Sequence, residues 1–160
     1  MSSNNEMFSL AEIAMLFIGT PYVWGGNNIT TGLDCGALVA EASRSCGLLD
    51  KRDLNAQGLH KYFLPNSISS EIKKDAVLFF GKSVKNITHV AIAINEKQMV
   101  EAGGEGRTPT DKGYVRIRPI SNRRDLIAVL NLKNPCHNDE ENILGDKNDR
   151  IKISRICKRN

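Results

Sequence analysis

A chain of 160 residues with a formal charge of +4 and a sequence pI near 8.9 can bury one sizeable core and is too weakly basic to read as a dedicated nucleic-acid binder. A polyanionic partner such as a bacterial wall is compatible with that charge, and so is simple solubility. No apolar run is long enough to span a bilayer, and the longest, around Leu10 to Ile18, carries Glu12. The opening residues, MSSNNEMFSL, lack a basic segment followed by an apolar stretch and a small-residue cleavage site, so the sequence predicts cytoplasmic synthesis without a signal peptide.

Ser9-Leu10-Ala11-Glu12 is a capping box, and Leu10, Ile13, Ala14, Phe17 and Ile18 follow at helical spacing until Gly19 and Pro21 stop the run. Residues Gly25 to Gly32 read as loop, after which Asp34 caps a second helix with Leu38, Val39, Ala42 and Cys46 on one face. Asn55 to Phe63 reads as a short helix, and Ala76 to Phe80 as a buried strand. Thr88 to Ile94 alternates, so His89, Ala91 and Ala93 share one side, where small neighbours leave room for something to approach the imidazole. Gln98 to Ala102 reads as its hairpin partner, Val115 to Ile120 as a further strand, and Leu126 to Leu132 as the strand that closes the sheet. Helices first and an antiparallel meander second is an α+β order. The expected organisation is one domain over residues 1–133 and a tail of mixed charge over 134–160.

Cys35, Cys46, Cys136 and Cys157 are scattered with no C-x-x-C pair, which points to free thiols. No metal-ligand cluster is apparent, and neither a metal nor a cofactor is expected. Cys35 stands apart because it falls in the first turn of a helix, where unpaired N–H groups and the dipole favour a thiolate by about 0.3–1 kcal/mol. Gly36 and Ala37 beside it keep that turn open. Cys46 carries a burial signature, and Cys136 and Cys157 lie in the tail. An imidazole that accepts the thiol proton would activate Cys35 further, and His89, on a strand, is the best-supported candidate. His60 and His137 are read as surface residues. Trp24 reads mainly as a core or rim aromatic, and Tyr22 as sharing its side of an extended segment. The stretch from Gly103 to Arg107 lacks the ending of a phosphate loop and reads as a flexible rim to a cleft.

Taken together, Tyr22-Val23-Trp24-Gly25-Gly26, Asp34-Cys35, Asp75 to Phe80 and His89 to Ile94 resemble the NlpC/P60 cysteine peptidases in order and spacing over roughly Phe8 to Leu132. The resemblance implies a papain-like α+β core in which the cysteine helix packs on an antiparallel sheet bearing the histidine. It also implies hydrolysis of peptidoglycan stem peptides, typically between D-glutamate and the diamino acid. By motif, Cys35 is the nucleophile, His89 the base, Tyr22 the aromatic hydroxyl beside the thiol, and Trp24, Asp34 and Gly36 neighbours of the substrate. N–H groups at the helix start, that of Cys35 among them, would hold the oxyanion.

The chain departs from the family pattern in two places. Asp-Cys-Ser-Gly is replaced by Asp34-Cys35-Gly36-Ala37, and the third catalytic group, commonly a histidine on the next strand, falls at Glu101. A carboxylate on the far imidazole nitrogen fixes the tautomer and stabilises imidazolium, as Asp does in serine triads. His89 and Glu101 share a side only if the hairpin loop near Asn95 to Lys97 holds an odd number of residues, or a bulge intervenes.

The expected function is therefore a thiol endopeptidase of the wall, with a peptidoglycan peptide as substrate, no nucleic-acid partner and no membrane span. A phage tail or another delivery machine is the expected partner if the enzyme is carried to a cell wall from the cytoplasm. An inactive wall-binding or structural module, and a deamidase or acyltransferase using the same thiol, are the competing readings.

Overall fold

The computed structural model describes residues 8–50, 52–104 and 112–133. Predictions made for Cys136, His137, Cys157, the 134–160 tail and the 105–111 part of the rim loop lie outside the described residues.

The capping box forms as the sequence requires. Ser9 Oγ accepts from Glu12 N at 3.3 Å and Glu12 Oε2 accepts from Ser9 N at 2.9 Å, starting α1 at Leu10–Met15. The helix is shorter than its periodic run, with turns carrying Leu16 to Gly19. Asp75, whose φ is 70°, accepts from Ala11 N at 2.8 Å and so ties the start of α1 to the turn before the sheet. Two tight pairs, β1 (Asn27–Asn28) and β2 (Gly32–Leu33), form an antiparallel hairpin inside the region read as loop. Next comes α2 (Cys35–Ser45), whose N-cap Asp34 accepts from Ala37 N at 2.7 Å. Asn55 caps α3 (Ala56–Phe63) in the same way, through Gly58 N at 2.8 Å.

Short strand β3 (Ser67–Ser69) leads into β4 (Val77–Ser83), β5 (Asn86–Ala93), β6 (Gln98–Gly103), β7 (Tyr114–Pro119) and β8 (Leu126–Leu132). These make one six-stranded sheet in the order β3-β8-β4-β5-β6-β7, antiparallel at every pairing. The helices bury Leu38, Val39, Ala42, Leu59 and Phe63 against one side, where Val77, Phe79, Val90, Ile92, Val100 and Ala102 meet them. Among the described residues no helix is long and apolar enough to cross a membrane.

The opposite side of the sheet differs from the sequence reading. Ala91 and Ala93 are fully buried in a second cluster with Leu78, Phe80, Met99 and Ile120, so the small side chains serve packing and do not form an open approach. His60 also differs, being 7 % exposed with its ring edge-on to Phe79 at 5.0 Å. It sits on the stripe Ala56, Leu59, His60, Phe63, and helical spacing overrides its polarity. Burial pushes its pKa down. Phe79 is wholly buried beneath α3, so Phe79→Ala is expected to lower stability by about 3–5 kcal/mol through lost transfer energy and a residual cavity. Urea unfolding of the two proteins checks this.

Candidate active site

Two elements bring the reactive groups together. Asp34 fixes the start of α2, which holds Cys35 half-buried against the helical side of the core. The β5–β6 hairpin sets the other half. Its register pairs Ile92 with Val100 and Ala93 with Met99, and Ile94 N donates to Gln98 O at 2.8 Å. The connection is Asn95-Glu96-Lys97, an odd count, shaped by Asn95 Oδ1 accepting from Lys97 N at 2.8 Å and Gln98 N at 2.9 Å. His89 and Glu101 therefore face the same side, and His89 Nε2 lies 2.8 Å from Glu101 Oε2. Next to His89 the β4–β5 pairing shifts from Phe80↔His89 to Gly81↔Ile87, which leaves Thr88 as an extra residue. Gly81 makes this possible, because a Cβ there would run into the Asn86 carbonyl.

The Cys35 thiol lies close enough to act on the same imidazole and favours its protonated form. With Nε2 facing the carboxylate, Nδ1 is the ring nitrogen left for sulfur. Burial disfavours the imidazolium, but the hydrogen bonds to Cys35 and Glu101 outweigh it and push the pKa of His89 up to about 9. His89 and Glu101 are 8 % and 3 % exposed. For Glu101, burial alone would raise the pKa. The bond to His89, its charge, and the charges of Arg116 and Arg118 more than offset this and hold the carboxyl below its ordinary value.

Around this line, Tyr22 is half-buried with its ring against Gly104. Burial and the nearby negative charges of Cys35 and Asp34 push its phenol up, so it stays a protonated hydroxyl beside the thiol. Trp24 is 87 % exposed in a turn. Of the two positions expected for it, core or rim, it takes the rim. Gly36 is buried, and a Cβ on it would meet Leu54 O at 3.0 Å and Asn55 Cα at 3.2 Å. It packs on backbone, so any contact with substrate would come from its own main chain. A cleft of about 160 Å³ is walled by Gly25, Gly26, Asp34, Ala37, Asp53 and Leu54, and Cys35 is not among its lining residues. Cys46 is half-buried at the end of α2, its sulfur 4.0 Å from the Phe8 carbonyl.

Sequence reasoning passed over two arginines. Arg116 Nε and Arg118 Nη1 lie 3.6 and 3.7 Å from Glu101 Oε1. The signal was present in Val115-Arg116-Ile117-Arg118, whose alternation sends both guanidinium groups to one side of a strand adjacent to Glu101.

The family model described as the NlpC/P60 family matches residues 19–123 of the chain. The chain belongs to the NlpC/P60 family. It is 33 % identical over 111 residues to the bifunctional muramidase/DL-endopeptidase CwlT of Bacillus subtilis, covering 68 % of this chain and 33 % of that protein. It is 26 % identical over 112 residues to the probable endopeptidase YafL of Escherichia coli, covering 66 % of this chain and 45 % of that one. The chain thus spans between a third and a half of the curated relatives it matches. In three dimensions it is similar to the NlpC/P60 domain of the peptidoglycan hydrolase SagA, with TM-score 0.54 and 21 % identity over 78 % of this chain and 97 % of that one. It is also similar to the P60 domain of an antigen from Mycobacterium avium subspecies paratuberculosis, with TM-score 0.55 and 21 % identity, covering 77 % and 90 % of the two chains. These likenesses place the molecule in the α+β, papain-like fold of NlpC/P60 domains.

Proposed function

We propose that this NlpC/P60 domain is a cysteine endopeptidase that hydrolyses amide bonds in peptidoglycan stem peptides. The observation that carries the reading is the buried His89–Glu101 pair, 2.8 Å apart, with Cys35 at the helix start acting on the same imidazole. The likeness to CwlT, a DL-endopeptidase by name, supports the substrate class, and the D-glutamyl–diamino acid bond is the proposed point of cleavage.

In this mechanism the Cys35 thiolate attacks the scissile carbonyl carbon, forming a C–S bond and a tetrahedral oxyanion. The first-turn N–H of Ala37 is occupied by Asp34, so the N–H groups of Cys35 and Gly36 are the ones assigned to the oxyanion. His89, as imidazolium, gives its proton to the leaving amine as the C–N bond breaks. It then removes a proton from water, whose oxygen attacks the acyl-enzyme. Collapse releases the acid and returns thiolate and imidazolium. Glu101 stays ionised throughout, orienting the ring and balancing its charge.

Digestion of purified sacculi, with the products resolved by mass spectrometry, tests the proposal. Wild type should release peptides ending at D-glutamate, and Cys35→Ser should release none above background. Equal release by the variant, or none by either protein, would overturn the assignment. Phage-tail or injected delivery, the route expected from the sequence, is tested separately by looking for the protein in purified virions.

A further inference from the structure

Burying a carboxylate beside a histidine raises a physical problem that a neutral third group would avoid. With Cys35 as thiolate and His89 as imidazolium, an ionised Glu101 makes two anions against one cation in a site that excludes most water. Such a site favours uptake of a proton, and a protonated Glu101 no longer stabilises imidazolium. The molecule supplies two cations at that point. Arg116 is the direct cross-strand partner of Glu101, and Arg118 is paired with Met99 two residues along on the same side. Both guanidinium groups approach Oε1, while Oε2 is engaged by His89. Arg116 is mostly buried, its side chain 13 % exposed, whereas that of Arg118 is 33 % exposed. Space for the carboxylate comes from Gly103, where an added Cβ would stand 3.3 Å from Oε1.

We propose that Arg116 and Arg118 form a cationic clamp on Glu101 that keeps the carboxylate charged and so sets the pH range in which the Cys35–His89–Glu101 line works. This rests on the reading that those three residues act together. The arginines are positioning residues, because they reach the thiol only through Glu101 and His89. Other charged or titratable groups also bear on the line. Tyr22 and Asp34 lie near Cys35, and Asp125, paired with Arg123, senses the charge of His89. None of them forms an ion pair with Glu101 among the described residues. The clamp therefore predicts an effect at Arg116 and Arg118 that depends on Glu101.

The experiment is iodoacetamide alkylation against pH, followed at the Cys35-containing peptide by mass spectrometry, together with sacculus hydrolysis over the same pH series. Wild type is compared with Arg118→Gln, Arg116→Gln, Arg118→Lys, Glu101→Gln and Glu101→Gln/Arg118→Gln. Removing a cation makes every proton along the line bind more tightly, so the pH at which Cys35 becomes reactive should rise by roughly half to one unit in each Arg→Gln variant. The acid limb of hydrolysis should rise with it. Arg118→Lys should restore most of the wild-type profile, and in the Glu101→Gln background the Arg118→Gln shift should shrink to less than half.

Superposable profiles, or an equal shift with and without Glu101, would overturn the clamp. If Arg116→Gln fails to fold, the more exposed Arg118 decides the matter. Alkylation needs no wall substrate, so a failure of sacculus digestion would remove the substrate assignment while leaving the clamp to stand or fall on its own data.

Discussion

Replacing His89 with alanine is expected to reduce sacculus hydrolysis by about 10⁶-fold, the scale on which losing the base alone costs nearly as much as losing the whole triad. The same substitution should slow alkylation of Cys35 by iodoacetamide at neutral pH, because the imidazole that takes up the thiol proton is gone. The stability consequence has a definite sign. A group whose folded pKa is raised contributes stability that is complete below its unfolded value and lost as pH rises through the folded one. For His89 those bounds are 6.5 and about 9. Wild type should therefore lose melting temperature between pH 6.5 and 9 relative to His89→Ala. A difference curve that is flat over that interval would mean the imidazolium does not form in the resting protein.

Glu101→Gln is the second large effect. A glutamine can still hydrogen-bond the ring but cannot balance imidazolium, so hydrolysis should fall about 10²–10⁴-fold. The variant also leaves two guanidinium groups facing a neutral amide in a mostly buried place. Arg118 can turn toward solvent and Arg116 much less so. A stability loss of about 1–3 kcal/mol follows. The pH dependence has the opposite sense from that of His89. The Glu101 pKa is held below 4.5 in the folded protein, so its contribution is present above that value and disappears as pH falls through the folded one. Wild type should lose more stability on acidification than Glu101→Gln. Urea unfolding at neutral pH and at successively lower pH measures both quantities.

Much of this site was legible because it is written in local rules. Capping residues located α1, α2 and α3, alternation located β5, and helix-start chemistry singled out Cys35. The parity argument for the hairpin required only that opposed residues share a side, and the three-residue Asn95–Lys97 loop meets it. What escaped depended on tertiary context. His60 looked polar and exposed because its stripe could not be weighed without knowing that Phe79 lay opposite. The β1–β2 pair and β3 are two or three residues long, too short for any periodicity to register. For Trp24, hydropathy left core and rim both open, and its exposure in the structure decides for the rim. Arg116 and Arg118 were passed over because only the β6–β7 register sets them against Glu101.

The tight seat of Gly36 bears on how this lineage can change. The 54–56 main chain lies so near Gly36 that an added methyl group would stand 3.0 Å from the Leu54 carbonyl. Restoring the ancestral-looking Asp-Cys-Ser corner is thus not a one-letter edit. It asks the backbone near Leu54 and Asn55 to give by a few tenths of an ångström, so the two stretches constrain each other.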